Sequence, residues 1–206
     1  MIEKYIKHKN GVIEQLNPTP IKYDFNYVNN SYNSYGELGL RMSYLRYGYI
    51  VGTIGNTPKS IMDVGYGNGD FLKVCSETIK ECYGFDVTNY PIPKNCKIAE
   101  NIFKEVDVIT FFDSLEHFTE IDFVKNLNVN YVVISVPWCH YEIDGDFEKW
   151  KHRRPNEHIF HFNEKSLTNF MEECNFKLVS FSNIEDTIRK PIDANKNILT
   201  AIFKKI

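Results

Sequence analysis

The sequence predicts an α/β fold: a doubly wound, mostly parallel sheet with helices on both faces. Three observations point there. Short apolar runs alternate with helix-patterned segments from residue 60 onward, the order that produces parallel strands joined by crossovers. The run Asn130-Tyr131-Val132-Val133-Ile134-Ser135-Val136 is apolar almost throughout, as expected of a strand covered on both faces. And Ser60-Ile61-Met62-Asp63-Val64 leads directly into Gly65-Tyr66-Gly67-Asn68-Gly69-Asp70, a buried strand that breaks into a glycine turn before a helix.

Taken in order, residues 1–30 look irregular, with Pro18 and Pro20 flanking Thr19. They read as an arm packed on a core. Residues 36–55 carry Leu38, Met42, Leu45, Tyr49 and Ile50 at helical spacing, closed by Gly52 and Gly55. A strand at 60–65 precedes a helix over about 69–80 with Phe71, Leu72, Val74, Cys75 and Ile79. A strand at 82–86 follows, then a Pro91/Pro93 loop and a short strand near Lys97-Ile98-Ala99. The stretch 87–105 is too short for a full third crossover helix. Residues 106–112 form a strand, 119–127 a helix and 130–136 a strand stopped by Pro137. Glu164–Cys174 is a helix with Leu167, Phe170 and Met171 on one face, and 177–181 and 198–203 are a closing pair of strands.

Bulk properties narrow the function. The chain has 206 residues and a formal net charge of −3, enough for a full core and without the basic footprint of a nucleic-acid binder. No apolar run is long enough to span a membrane and no signal-peptide pattern opens the chain. Cys75, Cys82, Cys96, Cys139 and Cys174 are dispersed without a C-x-x-C pair. Such usage fits reduced, buried thiols in a cytoplasmic protein.

The glycine spacing chooses between cofactors. A dinucleotide site needs G-x-G-x-x-G, but counting from Gly65 or Gly67 puts Asp70 or Leu72 where the third glycine belongs. The register fails, and Asp70 would repel a pyrophosphate, which disfavours a nicotinamide-dependent oxidoreductase. The run is D-x-G-x-G-x-G. A second apolar strand closes on Asp86, roughly 20 residues past the first glycine, where nucleotide-binding α/β folds hold ribose hydroxyls. Together these resemble the class I S-adenosylmethionine (SAM)-dependent methyltransferases, over residues 60–205. The resemblance implies a Rossmann-like, seven-stranded sheet with an antiparallel last strand. It also implies SAM as cofactor and S-adenosylhomocysteine as product. Asp63, Gly65, Tyr66, Gly67 and Gly69 would hold the amino-acid end, Asp86 with Val87 the ribose, and Asn101 or Ile102 the adenine.

Asp113-Ser114-Leu115-Glu116-His117 resembles the D/E-x-x-E-H segment of small-molecule methyltransferases. By that resemblance Asp113, Ser114 and Leu115 line the methionine part of SAM. His117 faces the substrate as a candidate general base, or is a helix-start residue bound to backbone. Arg154-Pro155-Asn156-Glu157-His158 brings His158 as a second catalytic candidate, and His152, Arg153 and Arg154 are candidates for an anionic substrate group or a solvated basic loop. Asp113, Glu116, His117 and His158 also resemble the metal set of small-RNA 2′-O-methyltransferases. Those enzymes carry Glu at the first position, where Asp113 is one methylene shorter, so no metal ligand is assigned.

The expected organisation is an N-terminal arm and helix over residues 1–55, packing over the cofactor site, and a methyltransferase domain over 56–206. Tyr32, Tyr35, Gly36, Arg41 and Tyr44 suggest a lid across residues 20–40. The expected activity is methyl transfer from SAM to a small-molecule acceptor: a metabolite, sugar or lipid precursor. The alternatives are a metal-assisted RNA 2′-O-methyltransferase and a non-catalytic SAM-binding module.

Overall fold

The computed structural model describes residues 4–22, 36–88, 90–143, 145–191 and 195–206. Its centre is a seven-stranded sheet. The strands are β3 (Ser60–Val64), β4 (Glu81–Phe85), β5 (Lys97–Ile98), β6 (Val106–Phe112), β7 (Val129–Pro137), β9 (Phe176–Ser182) and β10 (Ile198–Lys205), in the order β5-β4-β3-β6-β7-β10-β9. β5 through β7 run parallel. β10 lies antiparallel between β7 and β9. This is the Rossmann-like doubly wound sheet with a reversed last strand that the sequence predicts.

Alternating residues explain why the central strands are mainly apolar. Ile61, Val108, Val133 and Ile202 face one side, packing on α1 (Gly36–Ile54) and α2 (Asp70–Cys75) through Ile50, Phe71, Leu72 and Cys75. Met62, Ile109, Phe111, Val132, Ile134 and Phe203 face the other, packing on Leu167, Phe170 and Met171 of α3 (Glu164–Glu173). Burying one such side chain contributes about 1.5–3 kcal/mol, so period-two alternation with two covered faces favours apolar residues on both, and the buried Asp63, Thr110 and Ser135 are each hydrogen-bonded. Asn163 starts α3 by accepting from the Ser166 N–H at 2.9 Å, while Ser166 Oγ accepts from the Asn163 N–H at 2.9 Å, a reciprocal cap.

Three expectations are corrected. The arm is not irregular throughout: β1 (Lys4–Lys7) and β2 (Ile13–Leu16) form an antiparallel hairpin, and β2 pairs with β8 (Phe160–His161) in a second, three-stranded sheet. The helix expected over 119–127 is a 3-10 turn, Asp122–Asn126, preceded by another at Leu115–His117. And α2 ends at Cys75 rather than near 80, continuing as turns to Ser76 and Ile79. All five cysteines are buried and free. No helix among the described residues is long and apolar enough to cross a membrane.

Candidate active site

The site opens at the carboxyl ends of β3, β4 and β6, where an open parallel sheet leaves a crevice. The turn after β3 is shaped for glycine. Gly65 sits at φ 80 and an added Cβ would lie 2.8 Å from Ser114 Cβ. Gly69 sits at φ 79, with its Cβ position 2.7 Å from Pro93 Cδ. Neither conformation nor approach suits an L side chain.

Asp86 leaves the end of β4 and is held in place. Its Oδ2 accepts from the Gly67 N–H at 3.0 Å, and its Oδ1 accepts from the Thr88 N–H at 2.7 Å and the Thr88 hydroxyl at 2.6 Å. The glycine turn therefore approaches the acid itself. A cavity of about 340 Å³ runs past Gly65, Gly67, Asp86, Val87, Ser114 and Phe118. Pro20 and Ile21 of the arm also line it. Of the lid expected over 20–40, residues 23–35 with Tyr32 and Tyr35 lie outside the described residues, and 36–40 open α1, with Leu38 and Gly39 lining a neighbouring cavity. Tyr44 points elsewhere, donating to Glu77 Oε1 at 3.0 Å.

A second cavity of about 630 Å³ shares Gly65, Asp113 and His117 with the first. Asp63 and Tyr66 line this one. Asp63 pairs in register with Thr110 on β6, whose hydroxyl donates to Asp63 Oδ1 at 2.6 Å. Burial pushes its carboxyl up to about 6, against the opposing pull of Thr110 and Arg46. The Tyr66 hydroxyl donates to the Tyr90 carbonyl.

Four of the expected cofactor contacts line neither cavity, Gly69 among them, which packs against Pro93. Ile102 and Leu115 are buried in the sheet core. Asn101 is exposed and caps its own turn, accepting from the Phe103 N–H at 2.9 Å. Ser114 does line the first cavity, with its hydroxyl donating to the Val64 carbonyl at 2.7 Å.

Asp113 is taken up by an ion cluster that sequence reasoning missed. Its Oδ1 lies 2.8 Å from Arg189 Nη1 and its Oδ2 3.0 Å from Arg46 Nη2. Glu185, fully buried, accepts from Arg46 Nε at 2.7 Å, from Arg189 Nη1 at 3.1 Å and from the Ser135 hydroxyl at 2.7 Å. Burial would raise the Asp113 carboxyl, but the guanidiniums of Arg189 and Arg46 outweigh it and hold it well below its ordinary value. Arg46 also lies 4.2 Å over the Phe112 ring.

The cluster separates Asp113 from its expected partners. Glu116, His117 and His158 remain together, with one potential ligand atom from each within 4.8 Å of the others. The two imidazole rings stand nearly perpendicular, centroids 4.8 Å apart. His117 Nδ1 bonds the Glu157 carbonyl at 2.9 Å and His158 Nδ1 the His152 carbonyl at 2.7 Å. A carbonyl only accepts, so each Nδ1 carries the proton and each Nε2 keeps a lone pair. Burial lowers both histidines, His158 to about 2 with the charge of His117 adding to the effect. Glu116 is buried and neither of its oxygens has a hydrogen-bond partner. Burial first, then the charge of Asp113, pushes its carboxyl well above its ordinary value.

The loop carrying His158 is fixed from two sides. Asn156 accepts from Gln15 Nε2 at 2.9 Å and donates its N–H to Gln15 Oε1 at 2.7 Å, tying the loop to β2. His152 Nε2 bonds Asn197 Oδ1 at 2.8 Å, and Asn197 Nδ2 donates to the Arg189 carbonyl at 3.0 Å. Arg153 turns away from the cavity, its guanidinium 5.0 Å over the Tyr5 ring.

Comparison with known proteins places this architecture. The sequence matches the methyltransferase-domain family over residues 35–181. A search of curated proteins returned no match. Among solved structures, a 1,6-didemethyltoxoflavin-N1-methyltransferase from Burkholderia thailandensis superposes with a TM-score of 0.59 at 13% identity, covering 100% of this chain and 99% of that one. Magnesium protoporphyrin IX methyltransferase from Synechocystis gives 0.57 at 11% identity, over 90% and 89%. The methyltransferase domain of bacterial CtHen1-C gives 0.54 at 16%, over 81% and 98%. At these identities the likeness is one of fold.

Proposed function

The chain belongs to the methyltransferase-domain family, and from that premise we propose that it transfers a methyl group from SAM to a small-molecule acceptor. The observation that carries this reading is Asp86, held by the Gly67 N–H of the glycine turn and lining with that turn a cavity of about 340 Å³. An acid at that point suits ribose hydroxyls through charge-assisted hydrogen bonds. SAM supplies an electrophilic methyl on sulfur. The protein would orient the acceptor against it in the adjoining cavity, where positioning and exclusion of water lower the barrier. Val87 beside Asp86, and Asp63 and Tyr66 below the turn, complete the proposed cofactor contacts. Pro20 and Ile21 on one cavity, and Met42 and Arg46 on the other, support residues 1–55 as a cover for the site on the domain of residues 56–206.

Calorimetric titration with SAM, S-adenosylhomocysteine and NAD tests this. The first two should bind, NAD should not, and Asp86→Ala should weaken the binding. Absence of binding, or affinity unchanged in Asp86→Ala, overturns the reading. The net charge of −3 supports a small acceptor over an RNA strand.

A second feature favours an acceptor hydroxyl. The orphaned oxygens of Glu116 and the Nε2 atoms of His117 and His158 form a donor set of carboxylate and imidazole suited to a divalent ion. Both Nδ1–H groups are anchored on backbone carbonyls, which orients ligating rings. Glu116, His117 and His158 would hold such an ion, which would acidify a bound hydroxyl. Without it, His117 is the candidate proton acceptor, because burial and the neighbouring His117 hold His158 down to about 2 and leave it a weak base. Mn²⁺ titration followed by electron paramagnetic resonance should show one site, lost in Glu116→Gln. No bound Mn²⁺ at millimolar concentration with S-adenosylhomocysteine present would sink the metal reading.

A further inference from the structure

The larger cavity is electrically divided. Its wall at the glycine turn carries Asp63 and Asp70. Its lining also carries Lys151 and Arg154 from the segment after β7, and Arg189 and Lys190 from the segment before β10. The two basic segments are stitched together through His152, Asn197 and the Arg189 carbonyl, so their cations share one rim. Arg189 is neutralised by Asp113 and Glu185, and Arg154 pairs with Glu157 at 3.2 Å. Lys151 and Lys190 are exposed, and among the described residues neither has an ion-pair partner. Two uncompensated ammonium groups thus sit at the mouth, above a floor formed by Glu116, His117 and His158.

We infer that the methyl acceptor is a small anion, bearing a phosphate or carboxylate that seats between Lys151 and Lys190 while its methylated group reaches toward His117 and His158. The inference rests on the methyl-transfer reading, because SAM is itself a net cation. An acidic wall then suits the cofactor and a basic wall suits an acceptor of opposite sign. Electrostatic complementarity of this kind selects and orients more than it tightens. Lysine serves such a site as a compact point charge with three donors. The stitched segments fix where the two ammonium groups emerge, and the cavity of about 630 Å³ has room for an acceptor beside the floor residues.

The test uses the full chain saturated with S-adenosylhomocysteine, titrated calorimetrically with pyrophosphate and, separately, with malonate. At least one probe should bind at one site, more weakly as salt rises, since exposed charges are screened over about 10 Å at 0.1 M ionic strength. The tighter probe identifies the anion as phosphate-like or carboxylate-like. In Lys151→Ala/Lys190→Ala, probe affinity should fall about ten-fold or more, with S-adenosylhomocysteine affinity unchanged. Normal S-adenosylhomocysteine binding with neither probe bound, or probe binding unchanged in the double variant, overturns the inference alone. Failure of the unmodified protein to bind S-adenosylhomocysteine overturns the methyl-transfer reading and this inference with it.

Discussion

Asp113→Asn isolates the electrostatics of the buried cluster. The substitution keeps the side chain's shape. It also respects the backbone, because Asp113 sits at φ 51 and asparagine tolerates that region. What it removes is the negative charge that Arg189 meets at 2.8 Å and Arg46 at 3.0 Å. Two cations would then share one acid, Glu185. Breaking a buried ion pair costs about 3–5 kcal/mol. Asp113 is 29% exposed along its side chain, so water recovers part of that and a loss of about 2–4 kcal/mol is expected. For a chain of this size it corresponds to a fall in Tm of roughly 4–16 °C. Glu185→Gln should cost more, because Glu185 is fully buried. The Asp113 carboxyl is held below its ordinary 3.8 in the folded state. Its stabilisation is therefore present above pH ~4 and lost as pH falls through the folded value. Thermal denaturation of both proteins from pH 7 to pH 3 should show their Tm values converging on the acid side. A difference under about 2 °C at pH 7, or one that widens with acid, would refute the reasoning.

Gly65→Ala places a Cβ at φ 80 and 2.8 Å from Ser114 Cβ; it should cost more than about 1–2 kcal/mol and weaken S-adenosylhomocysteine binding. Gly48→Ala, on α1 with nothing within 4 Å, should gain about 0.5–1 kcal/mol and serves as the control in urea denaturation. His158 is lowered to about 2 in the folded protein, so below its ordinary 6.5 the unfolded chain takes up a proton that the folded one refuses. Stability should fall with pH below 6.5, by up to ~1.4 kcal/mol per pH unit from this group. His158→Asn should flatten that slope between pH 6.5 and pH 4; an unchanged slope would show that His158 titrates normally.

What the sequence revealed follows from which interactions are local. Strands β3, β6 and β7 are mainly apolar runs, the pattern that burial on both faces favours. β1 reads Lys4-Tyr5-Ile6-Lys7 and β8 is only Phe160–His161. Neither has a signal of its own. They exist through pairing with β2 and the Gln15–Asn156 exchange, which joins residues 141 positions apart. The misjudged crossover is instructive. Ile121, Val124 and Leu127 are all buried, and their spacing of three is the period of a 3-10 turn rather than of an α-helix.

The site divides along the same line. The glycine turn and Asp86 are legible because their function is written in backbone constraints that only certain residues meet. The fate of Asp113 is not, since Arg46 and Arg189 lie 67 and 76 residues away. Motif spacing groups Asp113 with Glu116, His117 and His158, but the folded chain assigns them opposite roles. Asp113 is compensated by two guanidiniums and stays ionised. Glu116 is buried without a donor and feels the repulsion of Asp113. A buried acid in that state is stable when neutral, or when a positive charge arrives. The histidines are held neutral beside it, so they supply no such charge themselves. The balance for Glu116 comes from a bound ion, or the acid stays protonated. Glu116→Gln separates these: it should leave a metal-free protein as stable or more stable at pH 7, and abolish any stabilisation by Mn²⁺.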